Sequence, residues 1–255
     1  MAALDRPFDG KTALITGAAG MIGRATARIF AERGATLVLV DHPDADWSDT
    51  RAALPSAEAA TYLSADVTKD ADVAAYVEAA KAVTGRIDVF FNNAGIEGPQ
   101  APIESYPADA FRKVMDVNVV GVFLGLQNVM PVMVAQGGGA IVNTSSIAGL
   151  IGAHSMAGYI ASKHAVLGLT RVAALEGAPA GVRVNSVHPG FIDSRMLSDI
   201  ATRLGGTQEA LAEAVPAGRL GSPEEVGKAV AFLASDEASY MNGSQVVVDG
   251  GKIVG

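Results

Sequence analysis

Two side chains one helical turn apart, Tyr159 and Lys163, have the residue types needed for acid–base chemistry. A free tyrosine titrates near pH ~10, and a fixed positive charge nearby favours the phenolate and lowers that pKa. A tyrosine whose pKa approaches neutral pH can exchange a proton with an alcohol or ketone oxygen. The same spacing also suits a half-buried tyrosine beside a solvated lysine, so the rest of the chain must decide between these readings.

A glycine-rich turn near the N-terminus is typical of a dinucleotide-binding unit. A predicted strand over 12–16 leads into Gly17-Ala-Ala-Gly20-Met-Ile-Gly23, a helical run follows, and a second strand over 35–40 ends at Asp41. Glycines permit a tight turn and close approach to a pyrophosphate, whose charge a helix N-terminus favours. Asp41 lies 18 residues after Gly23, close to the ~20 typical of a carboxylate that binds the adenosine ribose. A turn used only for packing is the alternative.

The residue types around Asp41 favour NAD over NADP. A carboxylate at this place would repel the 2′-phosphate of NADP. No lysine or arginine stands within 17–23, and the following His42-Pro43-Asp44 adds a second acid. The alternative for Asp41 is a cap or turn residue, which would carry no cofactor selectivity.

Short polar or glycine-containing segments also follow the later predicted strands, over 60–65, 87–91, 140–144 and 181–187. These segments are Asp66-Val67, Asn92-Asn93-Ala94-Gly95, Ser145-Ser146 and Pro189-Gly190. The carboxyl ends of parallel strands share one edge of the sheet, where ligands bind. Asp66 could equally cap the next helix, and the turn over 92–95 could simply brace the backbone. Their convergence at one edge favours a functional role for Tyr159 and Lys163.

Strands alternate with helices along the whole chain, which predicts an α/β fold with a parallel, doubly wound sheet and helices on both faces. No linker divides residues 1–255, so we expect a single domain. The segment over 191–220, after the sixth predicted strand, is longer than an ordinary connection. We predict that it forms a lid over the site.

Composition argues against several other functions. A net charge of −8 disfavours nonspecific nucleic-acid binding, and the absence of cysteine excludes disulfides and thiolate chemistry. The four histidines lack the spacing of metal ligands, so no metal site is predicted. The N-terminus does not read as a signal peptide, and no apolar run reaches the ~18 residues that a membrane span needs. We therefore expect no nucleic-acid or membrane partner and a cytoplasmic location.

These motifs together resemble those of the short-chain dehydrogenase/reductase family. The resemblance rests on Thr16-Gly17 with Gly23, Asp66-Val67, Asn92-Asn93-Ala94-Gly95, Asn118, Ser146, Tyr159 with Lys163, and Pro189-Gly190. It covers essentially the whole chain, and Ser146 precedes Tyr159 by 13 residues, as the family pattern requires. It implies a seven-stranded Rossmann-type fold, a nicotinamide cofactor and a homotetramer. The segment over 92–97 is most similar to bacterial NAD-dependent dehydrogenases of cyclic alcohols and ketones.

The resemblance also implies a role for each catalytic residue. Tyr159 is the general acid–base, Ser146 orients the substrate oxygen, and Lys163 lowers the Tyr159 pKa and binds the nicotinamide ribose. Asn118 holds a water that links Lys163 to solvent, although this residue falls in an apolar helical stripe where a structural hydrogen bond is the alternative. The implied cofactor contacts are Gly17, Gly20, Met21, Ile22, Asp41, Asp66, Val67, Asn93, Ala94, Gly95, Tyr159, Lys163, Pro189, Gly190, Ile192 and Ser194.

Two positions depart from the family pattern. Met21 stands where the family usually has a glycine, and Gly20 lies one place earlier. Ser194 stands where a threonine is common, and its hydroxyl could still meet the nicotinamide amide.

Apolar side chains near the site predict a largely apolar substrate, cyclic or aromatic. Candidate contacts are Ile96, Ser146, Ile147, His154, Phe191, Met196 and Leu197, most of which would also suit a core or loop position. One rival is an NADP-dependent carbonyl or 3-oxoacyl thioester reductase, although the segment over 191–206 lacks the basic excess that would meet an acyl carrier. Another is a noncatalytic NAD-responsive protein, which would not need all four catalytic residues.

Overall fold

The computed structural model describes residues 6–56, 60–193 and 207–254. Seven parallel strands form one sheet in the order β3-β2-β1-β4-β5-β6-β7. The strands are β1 (Thr12–Thr16), β2 (Thr36–Asp41), β3 (Ala60–Ser64), β4 (Val89–Asn92), β5 (Gly139–Thr144), β6 (Val182–Pro189) and β7 (Gln245–Val248). The predicted α/β fold with a doubly wound parallel sheet is confirmed.

Helices cover both faces of this sheet. In the described residues they are α1 (Met21–Glu32), α2 (Ser48–Ala53), α3 (Asp70–Thr84), α4 (Ala108–Met115), α5 (Gly121–Ala135), α6 (Ala157–Gly177), α7 (Gln208–Glu213) and α8 (Pro223–Ala234). Alternate strand residues face opposite ways, so Ile15 of β1 packs with α1 and α8, while Leu14 packs with α3, α5 and α6. The two hydrophobic clusters therefore lie on opposite faces of the sheet, between the strands and the helices.

The helical segment that begins after Pro107 is interrupted. A π-helical turn, Asp116–Val120, separates α4 from α5, and Asn118 lies inside it. Phe111 of α4 is partly exposed and packs edge-to-face with Tyr106, with ring centroids 6.4 Å apart. Turns of this kind are frequent at functional sites, and this one places Asn118 directly behind the main chain of Ile96.

The sixth strand is longer than predicted. It was expected to end at residue 187, but His188 and Pro189 pair with Val247 and Val248 of β7. The extra length carries the sheet edge up to Gly190, beside the loop that follows β5.

The helical run over Ala108–Ala135 is long and apolar enough to cross a membrane by length and composition, which the sequence analysis did not anticipate. Its side chains Val122, Leu126 and Val129 are buried in the hydrophobic cluster beneath α5. A core helix passes the same test, and packing on the sheet accounts for this apolar face.

The lid predicted over 191–220 lies only partly within the described residues, since 194–206 fall outside them. The two described ends of the segment meet: Ile192 and Gly221 form a parallel bridge, and Asp193 N donates to Gly221 O at 2.8 Å. The segment therefore leaves and returns to the same place beside β6.

Candidate active site

The carboxyl ends of the strands open into a cleft of about 1590 Å³. This volume exceeds the ~300–1,000 Å³ of ordinary small-molecule sites and suits a longer ligand with a second molecule beside it. The predicted site residues that line it are Gly17, Gly20, Met21, Ile22, Asp41, Asp66, Val67, Asn93, Ala94, Gly95, Ile96, Ser146, Ile147, His154, Tyr159, Lys163, Pro189, Gly190, Phe191 and Ile192. Asn118 lies behind the wall, and Ser194, Met196 and Leu197 fall outside the described residues.

The glycine turn leaves the N-terminus of α1 open to the cleft. Gly17 has φ +65°, and Gly20 occupies the N-cap position without a side-chain cap. A Cβ added at Gly23 would collide with the Gly17 carbonyl, so the close crossing of turn and helix requires a glycine there. Met21 begins α1, so its departure from the family pattern falls at a helical position that any residue can adopt. The turn fits a pyrophosphate bound by main-chain N–H groups.

Asp41 fixes this turn from the end of β2. Its Oδ2 accepts a hydrogen bond from Ala19 N and its Oδ1 one from His42 N, both at 2.8 Å. The carboxylate is therefore held at the end of the cleft where an adenosine ribose would lie. Arg24 also lines this end, but its guanidinium binds Asp49 at 2.5 Å.

Asp66 lines the cleft after β3 and does not cap α3. Its Oδ1 accepts from both Thr68 N and Thr68 Oγ1, at 3.0 and 2.7 Å. These bonds, led by that from the Thr68 side chain, lower the pKa of Asp66. The N-cap of α3 is Lys69, which makes no side-chain cap, so the capping alternative for Asp66 is wrong.

A hydrogen-bond network ties three strand ends together at the floor of the cleft. Asn93 Nδ2 donates to Thr16 O at 3.1 Å and to Gly17 O at 3.2 Å. Asn93 Oδ1 accepts from Thr144 Oγ1 at 3.0 Å, which joins β4 to β5. The turn after β4 thus braces the backbone and forms the cleft wall at once.

Ser146 is held in place from behind by His188. His188 Nδ1 lies 2.9 Å from the Ser146 carbonyl oxygen and Nε2 lies 2.8 Å from Ser186 Oγ. Because a carbonyl can only accept, Nδ1 carries the proton and donates. His188 is fully buried, and this burial is the main cause that lowers its pKa, so the neutral ring is favoured. This contact gives His188 a structural role.

Lys163 lies on α6 one turn after Tyr159, with 4% of its surface exposed. Its Nζ donates to Thr144 O at 3.0 Å and lies 5.5 Å from the centre of the Tyr159 ring. Burial lowers the Lys163 pKa to about 8. The pKa of the Lys163 ammonium group therefore lies closer to neutral pH than that of a free lysine.

The pKa of Tyr159 moves in the direction opposite to the one predicted. Burial is the main cause that raises the Tyr159 pKa to about 12; the hydrogen bond with Ser146 opposes the rise and the carboxylate of Glu97 adds to it. The ring is only partly buried because it faces the cleft, but the surrounding protein still favours the neutral phenol. The lowering expected from Lys163 does not prevail over burial.

The side chain of Asn118 is fully engaged in bracing. Its Oδ1 accepts from Ile96 N at 2.8 Å, while Nδ2 donates to Ile96 O at 2.7 Å and to Ser162 Oγ at 3.0 Å. Both amide hydrogens are thus used, in agreement with the structural alternative. The water-holding role implied by the family stays a prediction.

Glu97 is a cleft residue that the sequence reasoning missed. Only 9% of it is exposed, it lines the cleft near Tyr159, and its Oε1 accepts from Gln100 Nε2 at 3.1 Å. The available signal was an acidic residue directly after the turn that follows β4, followed by a glycine.

Comparisons with known proteins agree with this geometry. The family described as enoyl-(acyl carrier protein) reductase matches residues 17–252. A cyclohexanol dehydrogenase from Acinetobacter sp. (strain SE19) is 43% identical over 250 residues, covering 97% of this chain and 96% of that one. A levodione reductase from Leifsonia aquatica is 43% identical over 254 residues, covering 96% and 95%. A crystal structure of an NAD⁺-bound xylitol dehydrogenase matches with a TM-score of 0.91 at 36% identity, covering 96% and 99%.

Proposed function

This chain belongs to the short-chain dehydrogenase/reductase family, and we propose that it is an NAD(H)-dependent enzyme acting on cyclic secondary alcohols and the matching ketones. Family membership makes it an oxidoreductase that interconverts alcohols and ketones with a nicotinamide cofactor. One observation carries the proposal: the Ser146–Tyr159 pair shares a single cleft with the glycine turn and Asp41.

The residues on the cleft wall fit a dinucleotide. The N-terminus of α1 would receive the pyrophosphate, Asp41 the adenosine ribose, and Lys163 the ribose next to the nicotinamide. When bound, the nicotinamide would accept a hydride from an alcohol carbon or supply one to a ketone. Tyr159 would take the hydroxyl proton in the first direction and give one in the second, while Ser146 would donate a hydrogen bond to the substrate oxygen.

A cyclic substrate is proposed from the relatives together with the lining of the cleft. The Acinetobacter relative is named for cyclohexanol, and the apolar side chains Ile96, Ile147 and Phe191 line the substrate end here. Initial rates with NAD⁺ over cyclohexanol, methylcyclohexanols, open-chain 2-alcohols and xylitol would test this. Faster turnover of the open-chain alcohols than of every cyclic one would contradict the proposal.

Removing the charge of Asp41 should weaken the preference for NAD⁺ over NADP⁺. In Asp41→Asn the side-chain oxygen can still accept from Ala19 N, but the repulsion of a 2′-phosphate is lost. We expect the ratio of kcat/KM for NAD⁺ to that for NADP⁺ to fall by about 10- to 100-fold. Initial rates with each cofactor at saturating cyclohexanol measure this ratio.

Asp44→Asn is the matched control, because it removes the same charge from a side chain that is 92% exposed three residues away. It should leave the cofactor ratio unchanged. An equal change in both variants would mean that general charge, and not the position of Asp41, sets the preference. A wild type that prefers NADP⁺ would overturn the NAD assignment.

An acyl thioester reductase is a second candidate, because the matching family description names an acyl carrier protein substrate. Among the basic side chains that line the cleft in the described residues, Arg112 pairs with Asp109 at 2.7 Å and Arg24 pairs with Asp49, while Lys113 and Lys252 also lie there. Reduction of acetoacetyl-CoA and of cyclohexanone, compared at equal concentrations, separates the two candidates.

We also propose that the enzyme is a homotetramer, as the family resemblance implies. Helices α5 and α6 pack side by side, and their outer faces expose Phe123, Val134, Val172 and Leu175, the last at 78%. Contiguous exposed apolar residues are typical of subunit interfaces. The cytoplasmic location and the single-domain organisation stay predictions.

Leu175→Glu should therefore reduce the assembly size. A carboxylate introduced at a symmetric apolar interface is buried against its own copy, and we expect the tetramer to dissociate at micromolar concentration. Light scattering after size exclusion gives the mass. Ile103→Glu, at an 82% exposed position outside both helices, is the control. An unchanged mass for Leu175→Glu would remove this face from the interface.

A further inference from the structure

A tight turn after β7 places Lys252 in the wall of the cleft. Asp249 follows that strand, and its carboxylate accepts from Gly251 N at 2.8 Å and from Ile253 N at 2.9 Å. Gly250 and Gly251 have φ +64° and +87°, values that favour glycine over any residue with a Cβ. The main chain on both sides of Lys252 is therefore fixed, and its side chain lines the cleft.

The ammonium group of Lys252 is held beside the substrate end of the cleft. Its Nζ donates to Ala214 O at 2.9 Å, just after α7, and lies 5.6 Å from the centre of the Phe191 ring. Phe191 lines the cleft, and an aromatic face attracts a cation at this distance. None of the ion pairs between described residues includes Lys252. An ammonium group has three N–H donors, so these contacts leave a donor for an anionic ligand.

The surroundings of this ammonium group favour pairing with an anion. Ile96, Ile147, Met156 and Phe191 line the substrate end in the described part of the chain, and all four are apolar. A charge pair in such a compartment is screened less by salt and water than a pair on the open surface. A carboxylate is the organic anion that an ammonium group binds through charge-assisted hydrogen bonds.

The strand order separates Lys252 from the acid in the same cleft. Glu97 follows β4, Ser146 follows β5 and Lys252 follows β7, and these strands lie in the sheet order β4-β5-β6-β7. Neighbouring strands are ~4.8 Å apart, so β7 lies ~10 Å from β5, on the side away from β4. A ring substituent can therefore extend toward Lys252 and away from Glu97 while the reacting oxygen stays at Ser146.

The phosphates of the cofactor do not account for Lys252. The N-terminus of α1, which fits the pyrophosphate, follows β1. In the sheet order, β1 and β7 are four strand spacings apart, or ~19 Å. The anion that Lys252 meets is therefore expected on the substrate.

We infer that Lys252 is a specificity-determining residue that pairs with a carboxylate on the substrate, so that the preferred substrates are hydroxycycloalkanecarboxylates and the matching ketones. The inference rests on the proposed function and narrows its substrate class. The reacting carbon stays at Ser146 and Tyr159, and the carboxylate is carried by another ring carbon, on the side of Phe191.

The test compares 3- and 4-hydroxycyclohexanecarboxylates with the carboxamides of the same position and configuration, which keep the shape and remove the charge. For the wild type, we expect at least one carboxylate to exceed its carboxamide in kcat/KM by about tenfold or more. Lys252→Met should reduce that ratio to about twofold or less, whereas Lys252→Arg, which keeps the charge, should retain about fivefold or more. Lys228→Met, which removes an exposed charge from α8 outside the cleft, is the control and should match the wild type.

The outcomes separate this inference from the proposed function. A wild type that prefers no carboxylate by as much as about tenfold overturns the inference, as does a Lys252→Met variant that keeps the wild-type ratio. An equal fall in Lys228→Met would assign the preference to general charge and overturn it as well. If Lys252→Met fails to fold, Lys252→Gln measures the same loss of charge. No turnover of cyclohexanol, the carboxylates or the carboxamides with either cofactor would instead overturn the proposed function.

Discussion

Replacing Tyr159 with phenylalanine should lower kcat for cyclohexanol oxidation by about 10²- to 10⁴-fold, the usual contribution of a general acid–base. The phenol is hydrogen-bonded to Ser146 at the substrate end of the cleft, and phenylalanine keeps the ring but removes the group that moves the proton. Binding of NADH should stay within about twofold, because the glycine turn and Asp41 are untouched. Steady-state rates and fluorescence titration of NADH measure the two effects.

The wild type should also show a pH dependence that the phenylalanine variant lacks. Since burial raises the pKa of Tyr159 to about 12, the phenol is protonated at neutral pH and must lose its proton before it can accept one from an alcohol. Oxidation should therefore speed up as the pH rises above 7, while ketone reduction should not. The residual oxidation by Tyr159→Phe should be flat over the same range.

Tyr240→Phe is the matched control for this substitution, because Tyr240 is fully exposed on the surface. It should behave as the wild type in rate and in pH dependence. Near-normal turnover by Tyr159→Phe would remove Tyr159 from the chemistry and leave the cleft without an identified acid–base.

The cofactor end of the cleft was predictable because its signals are local in the sequence. A glycine turn between a strand and a helix can serve few purposes, and Gly23 is required by a main-chain contact with Gly17 within the same turn. Asp41 lies at the end of the next strand, so its approach to the turn follows from parallel pairing of β1 and β2. The geometry within the turn and the shared edge of the sheet were enough to predict where the glycine turn and Asp41 lie.

The substrate end was less predictable because it depends on distant contacts. Glu97 owes its position to Asn118, Gly98 and Ser155, which no local pattern connects. His188 reached Ser146 only because β6 continues to pair with β7 beyond its predicted end. Side chains whose placement requires another helix or strand cannot be assigned from spacing alone.

The pKa of Tyr159 shows the same limit in electrostatic form. Spacing on a helix correctly put Lys163 near the ring, but spacing does not report burial or the other partners of the ammonium group. Lys163 Nζ donates to Thr144 O at 3.0 Å. Burial raises the pKa of Tyr159 and lowers the pKa of Lys163. The helical spacing therefore predicted correctly that Lys163 lies near the Tyr159 ring, but it predicted the wrong direction for the shift in the Tyr159 pKa.

Lys163→Met should show by how much the buried ammonium group lowers the free energy of unfolding. The folded protein lowers the Lys163 pKa from 10.5 to about 8, so below pH 8 the charged form is penalised in the folded state relative to the unfolded chain. The penalty disappears as the pH rises from about 8 to 10.5, where both states carry neutral lysine. Wild-type stability relative to the variant should therefore increase by up to about 3 kcal/mol across this window.

Urea unfolding of both proteins at pH 7, 9 and 10.5 measures this difference, and groups that titrate equally in the two proteins cancel. Lys228→Met, which removes an exposed ammonium from α8, is the control and should track the wild type throughout. At pH 7 Lys163→Met should also lose at least about a hundredfold in kcat/KM, since both the proposed ribose contact and the charge beside Tyr159 would be gone. A pH-independent stability difference would show that burial does not penalise the charge, whereas lost turnover together with the expected pH dependence would show that the enzyme retains a destabilising lysine for its function.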